Sequence, residues 1–130
     1  MKKELTLVRI DELANAIDNL VNMDISLSGV DTINIFKDQS VLTKASEPFR
    51  KTRDKLIEKY GDDNQSINPS SKNWDIFAKE MNKILEQTET VDIQDISLTR
   101  IAEAGVPLKL INVLKGDILT MEIESPEVTE

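Results

Sequence analysis

The stretch DTINIFKDQSVLTKASEPFRKTRDKLIEKY, Asp31 to Tyr60, decides the fold, because it reads either as one long helix or as two helices meeting near Pro48. From Ile35 its apolar side recurs as Ile35, Leu42, Ala45, Phe49, Thr52, Leu56 and Tyr60, at spacings of three, four and seven. That period lays these residues on one helical stripe, close to the pattern of a two-helix seam. Thirty helical residues span roughly 45 Å, whereas a compact chain of this length has a radius of gyration of about 14 Å. A straight helix therefore runs the length of the molecule, and other elements or a second copy must cover it. Within a helix Pro48 removes a backbone donor and clashes with the preceding turn, at about 3 kcal/mol. Because the stripe keeps its phase across the proline, the sequence predicts a kink near Lys44 rather than a break with Ser46 capping a new helix. Asp31 or Thr32 can cap the start, and Gly61 is expected to end the helix in the left-handed conformation.

On the C-terminal side, Asp62 to Lys72 is a polar loop, after which Ser70 or Ser71 can cap a second helix. Trp74, Phe77, Met81, Ile84 and Leu85 share one face of it, and Lys79, Glu80, Lys83 and Glu86 mark the wet side. The short connection predicts an antiparallel hairpin with the second half of the long helix. On the N-terminal side, Lys2 to Leu5 is extended and Thr6 is a helix cap. Leu7, Ile10, Ala14, Ile17 and Val21 then predict a helix to about Asn22, against the competing reading of a strand through Leu5, Leu7 and Arg9. Asp24 to Val30 is a loop with Ile25 and Leu27 turned inward. Beyond the hairpin, residues 90–94 and 117–123 alternate as short strands. Ser97 caps a short helix stopped at Gly105, and Pro107 opens another that ends at Gly116. Leu5 to Glu12 also resembles Ile96 to Glu103, each an apolar residue, a hydroxyl cap, a Leu, then Arg-Ile and a Glu two further on. Shared helix-start chemistry explains that echo.

These elements make one mainly α domain of the α+β kind over residues 1–123. It comprises the antiparallel long-helix hairpin, an N-terminal helix, two short C-terminal helices and a minor sheet. The sheet draws on 90–94, 117–123 and the N-terminus, and an acidic tail follows at 124–130. At 130 residues the chain suffices for one core, and aromatics are only 4%, so Leu, Ile and Val carry the packing. No apolar run approaches the ~20 residues that cross a bilayer, and the start, Met1-Lys2-Lys3-Glu4, lacks a secretory signal. A cytoplasmic location and no membrane contact are expected.

With no Cys and no His, disulfides, thiol nucleophiles, imidazole or thiolate zinc sites and histidine acid–base steps are excluded. The formal charge of −8 argues against broad nucleic-acid binding. The long helix is the electrostatic exception. Lys37, Lys44, Arg50, Lys51, Arg53, Lys55 and Lys59 stand against Asp38, Glu47, Asp54 and Glu58, a local excess of positive charge on an acidic protein. Lys44, Arg50, Lys51, Arg53 and Lys55 are the candidate ligand or partner face, fitted to an anionic ligand or to the acidic surface of another copy. The plainer reading is a solvated face laced with pairs such as Glu47–Lys51. Asp62-Asp63-Asn64 lacks the spacing of a calcium loop and reads as a polar turn. Asp92 and Asp95 are a possible carboxylate pair, although solvation explains them as well. The four glycines stand singly, so no phosphate-binding loop exists. No enzyme, cofactor or metal is expected.

Arg53 to Gly61, Phe77 to Leu85, Val91-Asp92-Ile93 and Ile96-Ser97-Leu98, taken in order, resemble a family of small phage and prophage proteins with a long-helix hairpin. Pro48 departs from that pattern, whose corresponding region is uninterrupted helix. The family has no known shared activity. The resemblance implies a viral origin and an accessory or assembly role in the host bacterial cell, with a virion location also open. Taken together, these readings point to a non-enzymatic phage interaction protein, homo-oligomeric through the hairpin, with a phage or host protein as partner. The alternatives are an oligomer that sequesters a nucleotide-like anion against host defence, and a minor virion component.

Overall fold

The computed structural model describes residues 1–121. Their order is β1 (Lys2–Thr6), α1 (Leu7–Val21), α2 (Gly29–Tyr60), α3 (Trp74–Leu85), β2 (Thr88–Asp92), β3 (Ile96–Ser97), α4 (Leu98–Glu103), α5 (Leu108–Leu114) and β4 (Leu119–Thr120). Helix α1 starts where its cap predicts, with the Thr6 hydroxyl accepting the Arg9 amide at 3.2 Å. The echo at Ser97 repeats this, its hydroxyl accepting the Arg100 amide at 3.2 Å. Both caps leave a strand and enter a helix directly, which is why the two stretches read alike.

Helix α2 has 32 residues, about 48 Å of rise, and it runs through Pro48 without a break. Ser46, the alternative cap, is buried and donates its hydroxyl to the Thr43 carbonyl at 2.9 Å, one turn back in the same helix. The start differs from expectation. Ser28, not Asp31 or Thr32, is the cap: its hydroxyl accepts the Asp31 amide at 3.1 Å, which frees the Asp31 side chain for another partner. The end differs as well. Gly61 sits at φ −68°, so left-handed backbone is not why glycine stands there. A Cβ at Gly61 would lie 2.3 Å from the Ile57 carbonyl oxygen and 3.0 Å from that of Ser66, so close backbone approach requires glycine.

Helix α1 is the centre of the core. It packs most extensively on α2, and on its other side it meets α5. Ile10, Leu13, Ala14, Ile17 and Leu20 are buried there with Ile93, Ile96, Ile101, Leu114, Ile118 and Leu119. Helix α3 returns against α2 as the hairpin, but this seam is smaller than the one between α1 and α2. Of its expected apolar face only Phe77 is fully buried, with the Trp74 ring 5.8 Å away. Its cap is Asn73 rather than Ser70 or Ser71. Those serines are held in the preceding loop, Ser70 to the Asn68 carboxamide and Ser71 to the Asp62 carboxylate at 2.7 Å.

The expected single sheet is two separate ladders. β1 and β2 pair antiparallel, Lys3 opposite Val91, while β3 and β4 pair parallel, Ile96 opposite Leu119. Both Ile93 and Ile96 are buried, so the chain turns into the core between the two ladders, and the Ile96 amide finds the Ile118 carbonyl. β2 begins two residues before the expected 90–94 strand, and β4 covers only Leu119–Thr120 of the expected 117–123 strand. Ile123 and the acidic tail 124–130 lie outside the described residues. The short helices stop at Gly105 and Gly116, both at positive φ, as expected.

Candidate interaction surface

The seam of α2 fixes what its opposite face presents. Asp31, Ile35, Asp38, Leu42, Ser46 and Phe49 are buried in steps of three and four. At 3.6 residues per turn, Val30, Ile33, Lys37, Lys44, Lys51 and Lys55 gather in an arc of about 60° on the far side. All six are exposed. At the N-terminal end this outward face is apolar: Val30, Ile33 and Phe36 are 69%, 56% and 52% exposed. Further along it becomes a row of lysines.

Of the five predicted site residues, Lys44, Lys51 and Lys55 lie together in that row. Lys37, which the prediction left out of the site, belongs with them, and its seven-residue step to Lys44 is the signal that would have found it. Arg50 does not belong. It faces α1, where its Nε donates to Asp11 Oδ1 at 2.7 Å and its Nη2 to Asn15 Oδ1 at 2.9 Å, tying the two helices together. Arg53 is on the seam side, its guanidinium 5.9 Å from the centre of the Phe49 ring and 3.4 Å from Asp54. The expected Glu47–Lys51 pair is not among the ion pairs of the described residues.

The buried polar members of the seam have specific partners. Asp31 takes Arg100 in a two-pronged pair, Nε to Oδ2 at 2.7 Å and Nη2 to Oδ1 at 2.9 Å. The Arg100 hydrogen bonds hold the Asp31 carboxyl below the usual carboxylate range, against the opposing pull of burial. Asp38 is fully buried; its Oδ1 accepts the Gln94 amide at 2.7 Å, and Oδ2 has no hydrogen-bond partner among the described residues. Burial pushes its carboxyl up to about 6. Neither acid reaches solvent, so both stabilise or strain the fold rather than meet a ligand.

The other acidic candidates are also spoken for. The Asp62 carboxylate accepts the Ser71 hydroxyl, and the Asn64 carboxamide accepts the Ser66 hydroxyl at 2.7 Å, giving the polar turn expected. Asp92 accepts the Met1 amine at 2.9 Å, and that hydrogen bond holds its carboxyl below the usual range. Asp95 lies 3.9 Å from Lys3 Nζ. Both carboxylates thus secure β1. Among the described residues no group of acidic side chains is arranged to hold a metal ion.

Two grooves remain. One, of about 490 Å³, runs between α1 and α5, floored by Ala16, Met23, Leu110 and Val113 with Glu12 and Lys109 at its rims. The other, also about 490 Å³, lies between α2 and β2 beside Lys44 and Pro48. Among the described residues no helix is long and apolar enough to cross a membrane. No protein-family model, curated protein or solved structure matches the chain.

Proposed function

We propose that the chain is a non-enzymatic interaction protein that works as a homo-oligomer through the outward face of α2. The observation that carries this reading is the cluster of Val30, Ile33 and Phe36, three large apolar side chains left more than half exposed within two turns. They present roughly 300 Å², within the range of the largest apolar patch on a typical monomer, a patch that is often functional. Their burial against a partner would contribute about 1.5–3 kcal/mol each. The resemblance to small phage and prophage proteins supports an accessory or assembly role for such an oligomer. Sedimentation velocity across a dilution series tests it. The native chain should associate in the tens of micromolar, and Ile33→Glu should weaken association at least about tenfold. A native chain that stays monomeric through that range overturns the reading.

A second reading, a site for a nucleotide-like anion, is favoured by the alignment of Lys37, Lys44, Lys51 and Lys55. A convex helix face has no walls, so the anion would need a neighbouring copy to enclose it. Lys44→Glu with Lys51→Glu should abolish nucleotide binding measured by calorimetry. Unchanged binding removes this reading.

A further inference from the structure

We propose that the surface receiving the α2 patch is the groove between α1 and α5 of a second copy, so that copies join head to tail. The inference rests on the self-association reading above and names the second half of the contact. Helix α2 turns its seam to α1, and α5 meets α1 on another side. The outward face of α2 therefore points away from the groove of its own chain, and the two surfaces cannot meet within one molecule.

Their chemistry matches. The patch is a protruding apolar ridge of Val30, Ile33 and Phe36. The groove is a concave apolar floor of Ala16, Met23, Leu110 and Val113, large enough to take more than one side chain. Lys37 lies one turn beyond Ile33 on the ridge, and Glu12 stands at the α1 rim of the groove, 3.7 Å from Arg9 Nη1 and with its side chain still 56% exposed. Lys109 on the opposite rim sets the orientation, because Lys37 must then lie on the α1 side. The alternative, two α2 patches packed antiparallel about a two-fold axis, sets Lys37 of each copy beside the N-terminal end of its partner's α2, where the helix dipole disfavours a cation. Charge favours the groove. A ridge-into-groove contact uses two different patches, so it either closes as a ring or continues as a filament.

Two surface substitutions separate the halves. Phe36→Asp spoils the ridge, and Asn19→Arg fills the groove from an exposed position on α1 that lines it. Circular dichroism and thermal unfolding of each variant check that the fold is kept. Each variant alone should lose self-association by at least about tenfold. Mixed one to one, the intact ridge of Asn19→Arg and the intact groove of Phe36→Asp should restore association and stop at a heterodimer. Asn19→Arg associating like the native chain overturns the groove and leaves the α2 reading standing. A mixture that stays monomeric overturns the ridge-into-groove contact as well. A monomeric native chain removes both readings together.

Discussion

Helices α1 and α2 each bury six side chains, yet α1 does so in 15 residues and α2 in 32, and the chemistry of the two sets differs. Those of α1 are all apolar: Ile10, Leu13, Ala14, Ala16, Ile17 and Leu20. Those of α2 alternate, with Asp31, Asp38 and Ser46 set between Ile35, Leu42 and Phe49. The short helix is held by apolar contact on several sides. The long one is held by one narrow seam in which half the positions need a polar partner, and most of its circumference faces solvent. A helix in the middle of a core is therefore specified by hydrophobicity, and a helix along its edge by individual bonds.

The largest expected effect is on the first member of this pair. Leu13 is fully buried among α2, α5 and the strands. Leu13→Ala removes its methyl groups and leaves a cavity that close-packed neighbours cannot fill, so about 3–4 kcal/mol of stability should be lost. Urea unfolding checks this through a shifted midpoint with unchanged slope. A loss below about 1 kcal/mol would mean that the α1 environment relaxes freely, and the contrast with α2 would collapse.

The next effect belongs to α2. Asp31→Ala deletes a two-pronged pair with Arg100, and the carboxylate lost is almost fully buried. Arg100 is half exposed and can be rehydrated, so the cost should be about 2 kcal/mol, below that of stranding a buried charge. The pH dependence gives a sharper signature. The carboxyl of Asp31 is held below its unfolded value, so its stabilisation is complete above pH ~4 and fades as the pH falls through the lowered folded value. Unfolding free energies measured from pH 5 to pH 2 should fall less steeply in Asp31→Ala than in the native chain. Equal slopes would show that the pair contributes nothing through charge.

These contrasts also explain what could be read from the sequence. The α1 stripe is legible because each of its buried residues announces itself by being apolar. The α2 stripe was found through Ile35, Leu42 and Phe49, but its acids were not, since their partners are remote: Arg100 is 69 residues from Asp31 and Gln94 is 56 from Asp38. The same distance effect displaced Arg50 from the candidate surface, because its partner Asp11 lies 39 residues away. Lys44, Lys51 and Lys55 were legible because their spacing fixes a face whatever the rest of the chain does. The division into two ladders was not, as strand pairing depends on where Ile93 and Ile96 are buried rather than on local alternation.

The smallest effect, and the one that separates the two acids of α2, is at Asp38. Unlike Asp31 it has no arginine; burial raises its carboxyl to about 6, with Asp95 adding to the rise and the Met1 amine and Lys3 opposing it. The folded chain therefore holds a proton there between about pH 4 and pH 6 that the unfolded chain has lost. Stability from this group is present at the acidic end of that window and declines as the pH rises through 6. At pH 7 the ionised buried carboxylate costs on the order of 3 kcal/mol. Asp38→Asn removes that cost and keeps an oxygen for the Gln94 amide, but it places an unpaired amide donor where Oδ2 now has no hydrogen-bond partner among the described residues. With about 1–3 kcal/mol charged against the donor, the net gain at pH 7 should be about 1 kcal/mol. Denaturant melts at pH 4.5, 6 and 7.5 would check the sign: the advantage of Asp38→Asn should grow with pH and vanish or reverse at the acidic end. A variant that is less stable than the native chain at every pH would mean that the carboxylate is held by more than the Gln94 amide, and the seam of α2 would then resemble a set of paired charges throughout.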